Sequence, residues 1–215
     1  MNTENTSFAF FDFDGTLIKG DSIVSYVAYA RKAGKISKKE HRALIRALIK
    51  YLLRVIDDTA IKNVALAFTN RMTQEERDAF DSAFAKELVQ RVYKLGLEEI
   101  ELCRMQRLST VLVSASTENY MRYVAQLLHF DALLCTKLNA DGKVQKNCKG
   151  QEKVARIEQF IKENNLLMDA SSSFAYGDSK SDEPMLGMVG HPFAVNAKRA
   201  LRQLSLGRFS FIRWK

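Results

Sequence analysis

Proline is nearly absent from this chain of 215 residues. Only Pro184 and Pro192 occur, so no proline-rich linker divides it. Cysteine is equally sparse. Cys103, Cys135 and Cys148 are odd in number, far apart and outside any CxxC pair. That pattern excludes a disulfide framework and a zinc-finger spacing, and it suits the reduced thiols of a cytoplasmic protein. No run of about 18 uncharged apolar residues exists, so no membrane-spanning helix is expected. The opening MNTENTSFAFFDFDG has neither a basic n-region nor an apolar h-region, and no signal peptide is expected. Repeats and low-complexity tracts are missing too, as is any basic motif interleaved with aromatics, so nucleic acid is not an expected partner.

Apolar residues make up 47% of the chain and charged residues 27%, the balance of a globular protein with a packed core. The net charge of +8 is concentrated. Residues 19 to 54 hold ten basic and two acidic residues, and the rest of the chain is neutral. Such a segment attracts anions: a phosphate-bearing substrate, an anionic membrane surface or a nucleic acid.

The run Ser7 to Phe13 reads as a buried strand ended by the turn pair Asp14-Gly15. Residues 22 to about 95 read as helix throughout. Gly34 marks a helix stop, Ser37 or Asp58 an N-cap, and Thr73 with Glu76 a capping box. Beyond Gly96, strands and helices alternate. Strands are expected at 110–113, 132–135, 173–176, 193–195 and 209–213, with helices at 97–108, 118–128, 151–163 and 198–206 and a hairpin around Asp141-Gly142. Alternation of this kind implies an α/β fold: a Rossmann-like, doubly wound, mostly parallel sheet. The helical stretch is too long for a crossover and reads as an inserted all-helical cap. The core is then 1–19 and 96–215, and the cap 20–95.

Ligands of doubly wound sheets sit at the carboxyl ends of the strands. Asp12 and Asp14 end the first strand, Ser114 ends the second in VLVSAS, and Asp178 ends FAYGD with Asp182 four residues on. Lys153 starts a helix after Gly150 in KGQEK. Crowded carboxylates repel unless a cation joins them, and four acids at one sheet edge suit Mg²⁺ that shares oxygens with a phosphate. A lysine and a serine hydroxyl can bind phosphate oxygens. One carboxylate can attack phosphorus while another serves as acid and base.

FFDFDGTL, LVSAS, KGQEK and YGDSKSDEPML, in that order, resemble the haloacid dehalogenase-like hydrolases. The helical insertion resembles their C1-capped branch, near phosphoserine phosphatase. The SAS form of the second motif and PFAVNAKRALRQL resemble subfamily IB, which includes phosphatases related to phosphatidylglycerophosphatase C. The resemblance implies Asp12 as nucleophile and Asp14 as general acid/base, the latter also binding Mg²⁺ through its carbonyl. It implies Ser114 and Lys153 as phosphate ligands, Thr16 as support for the first loop, Asp178 as a direct metal ligand and Asp182 close to the metal. Dehalogenases of this family lack the second aspartate, so Asp14 points to a phosphatase. GxxK spacing selects Lys153 over Lys149. Asp21 is either a helix cap or a substrate contact.

The expected reaction is hydrolysis of a phosphomonoester, with phosphoserine, a lipid phosphate or another small phosphate ester as substrate. The alternatives are a phosphotransferase, or a membrane- or partner-binding protein with a residual catalytic core. In residues 38–56, Arg42, Arg46, Lys50 and Arg54 recur every four residues among apolar ones. Three readings stand: a helix buried over most of its surface with a basic outer stripe, an interfacial helix meeting anionic lipid, or a stripe gripping a polyanionic substrate.

Overall fold

The computed structural model describes residues 5–204 and 207–215. The chain begins with β1 (Asn5–Thr6) and β2 (Phe8–Phe11), followed by four helices: α1 (Ser22–Lys32), α2 (Lys38–Leu52), α3 (Asp58–Leu66) and α4 (Gln74–Val89). Then come α5 (Lys94–Met105), β3 (Ser109–Thr117), α6 (Glu118–Leu127), β4 (Ala132–Thr136) and α7 (Gln151–Glu163). The last elements are β5 (Leu167–Met168), β6 (Phe174–Gly177), α8 (Glu183–Leu186), β7 (His191–Val195), α9 (Arg199–Leu204) and β8 (Ser210–Ile212).

Six strands form one parallel sheet in the order β4-β3-β2-β6-β7-β8. The chain moves outward from β2 through β3 to β4, then returns to the other side of β2 for β6. That reversal makes the carboxyl end of β2 the switch point where a crevice opens. β2 is buried on both faces, which explains its uninterrupted FAFF. Phe8 and Phe10 enter one apolar layer with Val111, Ile157 and Leu201. Ala9 and Phe11 enter the other with Ile100, Tyr120 and Tyr176. The strict alternation follows from the two-residue period of a strand.

The helices between β2 and β3 are anchored by aromatic contacts. Tyr26 of α1 packs on Phe84 of α4 and on Tyr120 of α6, with ring centroids 5.1 and 5.0 Å apart. Its hydroxyl donates to the buried Asp81 carboxylate at 2.5 Å.

Several expectations shift. β2 stops at Phe11 because the Phe13 carbonyl instead accepts the amides of Leu17 and Ile18, closing a tight loop. The cap of α3 is Asp57, whose side chain accepts the Ala60 amide; Asp58 is the first helical residue. The capping boxes at Ser37 and Thr73 form. Of the helix expected over 198–206, residues 199–204 are helical, and 205–206 lie outside the described residues. The β1–β5 pair was not anticipated: two residues in each strand carry no alternation to read. No described helix is long and apolar enough to cross a membrane.

α2 overturns one reading. It is not buried over most of its surface; only Ala47 is buried. Ile45, Leu48, Ile49 and Leu52 are exposed, Leu52 by 71%.

Candidate active site

The loop after β2 begins the site. The Asp12 amide donates to the Tyr176 carbonyl at 2.9 Å, which fixes Asp12 between β2 and β6. Gly15 then takes a positive φ of 86°, and its amide bonds the Ile18 carbonyl. A β-carbon on Gly15 would lie 2.1 Å from Asp178 Oδ2, so only glycine allows the loop to pass beneath that carboxylate.

Asp12 is buried, with each oxygen held. Thr16 Oγ1 donates to Oδ2 at 2.8 Å, and Lys153 Nζ donates to Oδ1 at 2.6 Å. Lys153 extends from the first turn of α7, which starts at Gly150 with φ of 62°. The same ammonium donates to Asp182 Oδ1 at 2.7 Å. Asp182 Oδ2 accepts the Ser179 amide and hydroxyl. Gly177 ends β6 beside it, where a β-carbon would come within 2.5 Å of Asp182 Cβ. Asp178, also buried, pairs with Lys198 Nζ at 2.6 Å.

Asp14 points elsewhere. Its Oδ1 accepts the Ser22 amide at 2.7 Å, and its Oδ2 accepts the hydroxyls of Ser22 and Ser116. Its carboxyl is therefore turned toward the start of α1, away from the other three acids.

Burial drives the electrostatics. It pushes Asp12 up to about 8, helped by the like charges of Asp182 and Asp178 and opposed by Lys153. It pushes Asp14 up to about 6, with Asp21 adding to the rise and Ser116 and Ser22 opposing it. Burial works against the charge of Asp182 as well, but the Lys153 ammonium and the Ser179 donors hold it below the usual carboxylate range. Asp178 is raised by burial against the opposing pull of Lys198.

Carboxylate oxygens of Asp12, Asp178 and Asp182 lie within 4.8 Å of one another. Three hard oxygen donors at that spacing, with three negative charges against two lysines, fit a divalent cation of the magnesium type. The glycine cradle under Asp178 fits the same purpose.

The structure thus gathers Asp12, Thr16, Lys153, Asp178 and Asp182, with Asp14 alongside. Lys149 lines the same cleft but pairs with Asp58 at 2.7 Å, whereas Lys153 pairs with Asp12 and Asp182. Ser114 is fully buried, and its Oγ accepts the Ser116 amide at 3.0 Å. Ala115 and Ser116 line the cleft at that strand end. Asp21 caps α1 through the Ile23 and Val24 amides while also lining the cleft.

Three participants escaped the sequence reading. Lys198 lies just past β7, in PFAVNAK, where a basic residue at a strand end was the available signal. Ser22 and Lys62 come from the helical stretch. Lys62 Nζ bridges the Ala115 carbonyl and Asn147 Oδ1, at 2.7 and 2.6 Å. Burial lowers its pKa, while Asp58, Asp21 and Asp14 oppose that drop. Nothing in its local sequence distinguishes it from a solvated lysine.

The family model for haloacid dehalogenase-like hydrolases matches residues 9–187. The chain belongs to that family. Among curated relatives, a histidinol-phosphatase of Neisseria meningitidis is 27% identical over 92% of this chain and 93% of its own length. A probable phosphatase of Mycobacterium tuberculosis is 24% identical over 91% of this chain and 70% of its own. Within the hydrolase family, the chain groups with the phosphatases. Among solved structures, a Bordetella pertussis protein of unknown function superposes with a TM-score of 0.87 at 19% identity, covering 97% of this chain and 99% of that one. A phosphoserine phosphatase carrying a phospho-aspartyl intermediate analogue gives 0.60 at 17% identity, covering 97% and 93%. These two likenesses speak for the fold.

Proposed function

We propose that this phosphatase hydrolyses a phosphomonoester through an aspartyl-phosphate on Asp12, with Mg²⁺ as cofactor and Asp14 as general acid and base. The observation that carries the reading is the buried Asp12 carboxylate at the switch point, gripped on one oxygen by Thr16 and on the other by Lys153.

Asp12 attacks phosphorus, forming its own P–O bond as the ester P–O bond breaks. Asp14 passes a proton to the departing alkoxide. Water then attacks the phosphorus and gives a proton back to Asp14, which releases inorganic phosphate and the Asp12 carboxylate. Lys153 neutralises charge on the transferring group, and Ser114, buried within β3, supports its binding by holding the Ser116 amide at the cleft. Asp12, Asp178 and Asp182, with the Asp14 backbone, would hold the cation, which offsets carboxylate and phosphate charge. Residues 20–95 act as a cap that shields the site from water during the first step. Lys62 joins that cap to the core cleft.

The substrate is a phosphorylated small molecule. Names of the relatives make histidinol phosphate and phosphoserine the first esters to try. Turnover of p-nitrophenyl phosphate with and without Mg²⁺, beside Asp12→Asn, tests the mechanism. Metal-dependent turnover is expected, with a loss of about a thousandfold or more in the variant. Activity that survives in Asp12→Asn would remove Asp12 as nucleophile.

One observation favours a peripheral role in addition. Arg46 and Lys50 are exposed beside the exposed Ile49, Leu52, Leu53 and Val55. Such a face would meet an anionic membrane. Co-sedimentation with anionic but not neutral vesicles is the expected result, and equal recovery with both would refute it.

A further inference from the structure

The cleft at the carboxylates is small, about 170 Å³. An ester with its phosphorus at Asp12 must therefore send its organic part outward. Two openings adjoin. One is polar, bounded by Asp57, Lys146, Lys149, Ser181 and Lys198. The other runs between α1, α2 and α3, encloses about 760 Å³, and is walled by Val24, Val27, Ala28, Leu44, Leu48 and Ile61. It is continuous with the cleft, because Ile23, Tyr51 and Lys62 line both.

The position of Asp14 decides between the two. Its carboxyl is tied to Ser22, the first residue of α1, and Ile23 follows at the junction of cleft and groove. In the proposed reaction Asp14 must reach the leaving oxygen, which therefore departs on the α1 side. The polar opening also reaches the cleft, through Asp58, Lys149, Ser181 and Lys198, but none of these groups holds Asp14, and Lys198 is engaged by Asp178. The organic part of the ester is directed along α1, into the apolar groove.

The groove also has the character of a ligand site. Its volume falls within the range of small-molecule pockets, and its walls are aliphatic between polar groups at the cleft end, Asp21, Tyr51 and Lys62 among them, and Arg31, Lys32 and His41 at the far end. On the α2 side, Ile45 and Leu48 stay 46% and 49% exposed with nothing packed over them. Water in such a groove is readily displaced by a hydrocarbon chain. Histidinol or serine would leave it empty.

We propose that the groove between α1 and α2 binds the aliphatic chain of an amphiphilic phosphate monoester whose phosphoryl group lies at Asp12. This inference rests on the phosphomonoesterase reading above. Chain burial then sets specificity. Burial of about half of each methylene would be worth about twofold in kcat/KM per carbon.

The test is a series of ethyl, butyl and octyl phosphate, each below its critical micelle concentration, with ethyl- and octylphosphonate binding measured by calorimetry. Wild-type protein is expected to hydrolyse the octyl ester at least about tenfold more efficiently than the butyl ester and to bind octylphosphonate more tightly than ethylphosphonate by a similar factor. Ala28→Trp fills the groove from an exposed position, and Leu48→Asp makes its opposite wall polar. Both variants are expected to retain ethyl phosphate turnover and lose the chain-length advantage. Equal efficiency along the series, with ethyl phosphate hydrolysed, would overturn the groove assignment and leave the phosphatase reading standing. So would a chain preference unchanged in both variants. Tight octylphosphonate binding that is lost in Ala28→Trp, without hydrolysis of any ester, would uphold the groove and bring down the catalytic reading instead.

Discussion

Lys153 holds Asp12 and Asp182 at once, with its ammonium 2.6 Å from one carboxylate and 2.7 Å from the other, all three groups buried. The three form a unit in which each carboxylate depends on a cation that they share. Removing one member of a buried ionic cluster costs far more than the cluster's net worth.

Lys153→Met is therefore expected to lose about 3–5 kcal/mol of stability, measured by urea unfolding without metal. Turnover should fall by about a hundredfold or more. Adding Mg²⁺ should recover part of the stability and little of the turnover, since the cation relieves carboxylate repulsion without replacing the phosphate contact. A variant as stable as wild type would show that the bridge contributes little.

Magnesium itself is expected to raise the melting temperature of the wild-type protein, because a ligand that binds only the folded state stabilises it. EDTA should reverse the effect and abolish turnover. In Asp178→Asn the thermal response should shrink strongly. An equal response in both proteins would move the metal away from Asp178.

Gly15→Ala probes the same carboxylate from beneath. The added methyl would meet Asp178 Oδ2 at 2.1 Å in a backbone at φ +86°. The Mg²⁺ concentration for half-maximal activity is expected to rise at least about tenfold. A loss of about 1–3 kcal/mol in stability should accompany it. An unchanged metal titration would show that the loop has room.

A pH effect should appear outside the cleft. Burial pushes Asp81 up to about 6 from 3.8, against the opposing bonds of Tyr26 and Asn119. A carboxyl raised in the folded state binds its proton more readily there than when unfolded. Its contribution is most favourable below about pH 4 and is lost as the pH rises toward 6. Asp81→Asn keeps an acceptor for the Tyr26 hydroxyl and removes the buried charge. At pH 7.5 it is expected to be more stable than wild type by up to about 3 kcal/mol, with the gap closing toward pH 4. Parallel unfolding curves at the two pH values decide it, and a gap that widens on acidification would refute the sign.

Much of this arrangement was legible because the sheet is parallel and its central strands are buried. Its strands are unbroken apolar runs, and polar residues at their ends stand out, as Asp12 and Asp178 do. Gly150 before Lys153 was readable as a helix start for a similar reason. What stayed hidden depends on packing across distant segments. Lys62 and Lys198 are ordinary surface lysines by sequence, and only the fold brings them to the cleft. The apolar residues of α2 repeat as they would on a buried helix, so its period could not show that Ile45 and Leu52 are left uncovered. Asp57 and Asp58 differ by one step at a helix start, and either could cap.

The pairing of β2 has a consequence for how the protein is made. Its central strand is synthesised almost first, yet its neighbours come late: the Phe8 amide reaches Ser173 Oγ across 165 residues, and Asp12 is pinned by the Tyr176 carbonyl. Helices α1 to α4 have their packing partners much nearer in the chain, Tyr26 against Phe84 among them. On the ribosome, the helical stretch can begin to assemble while Phe8–Phe11 still lacks its β6 neighbour. A chain released before Gly177 would carry the α1–α3 groove and no complete carboxylate cluster, with one edge of an aromatic-rich strand left open to pair with another chain.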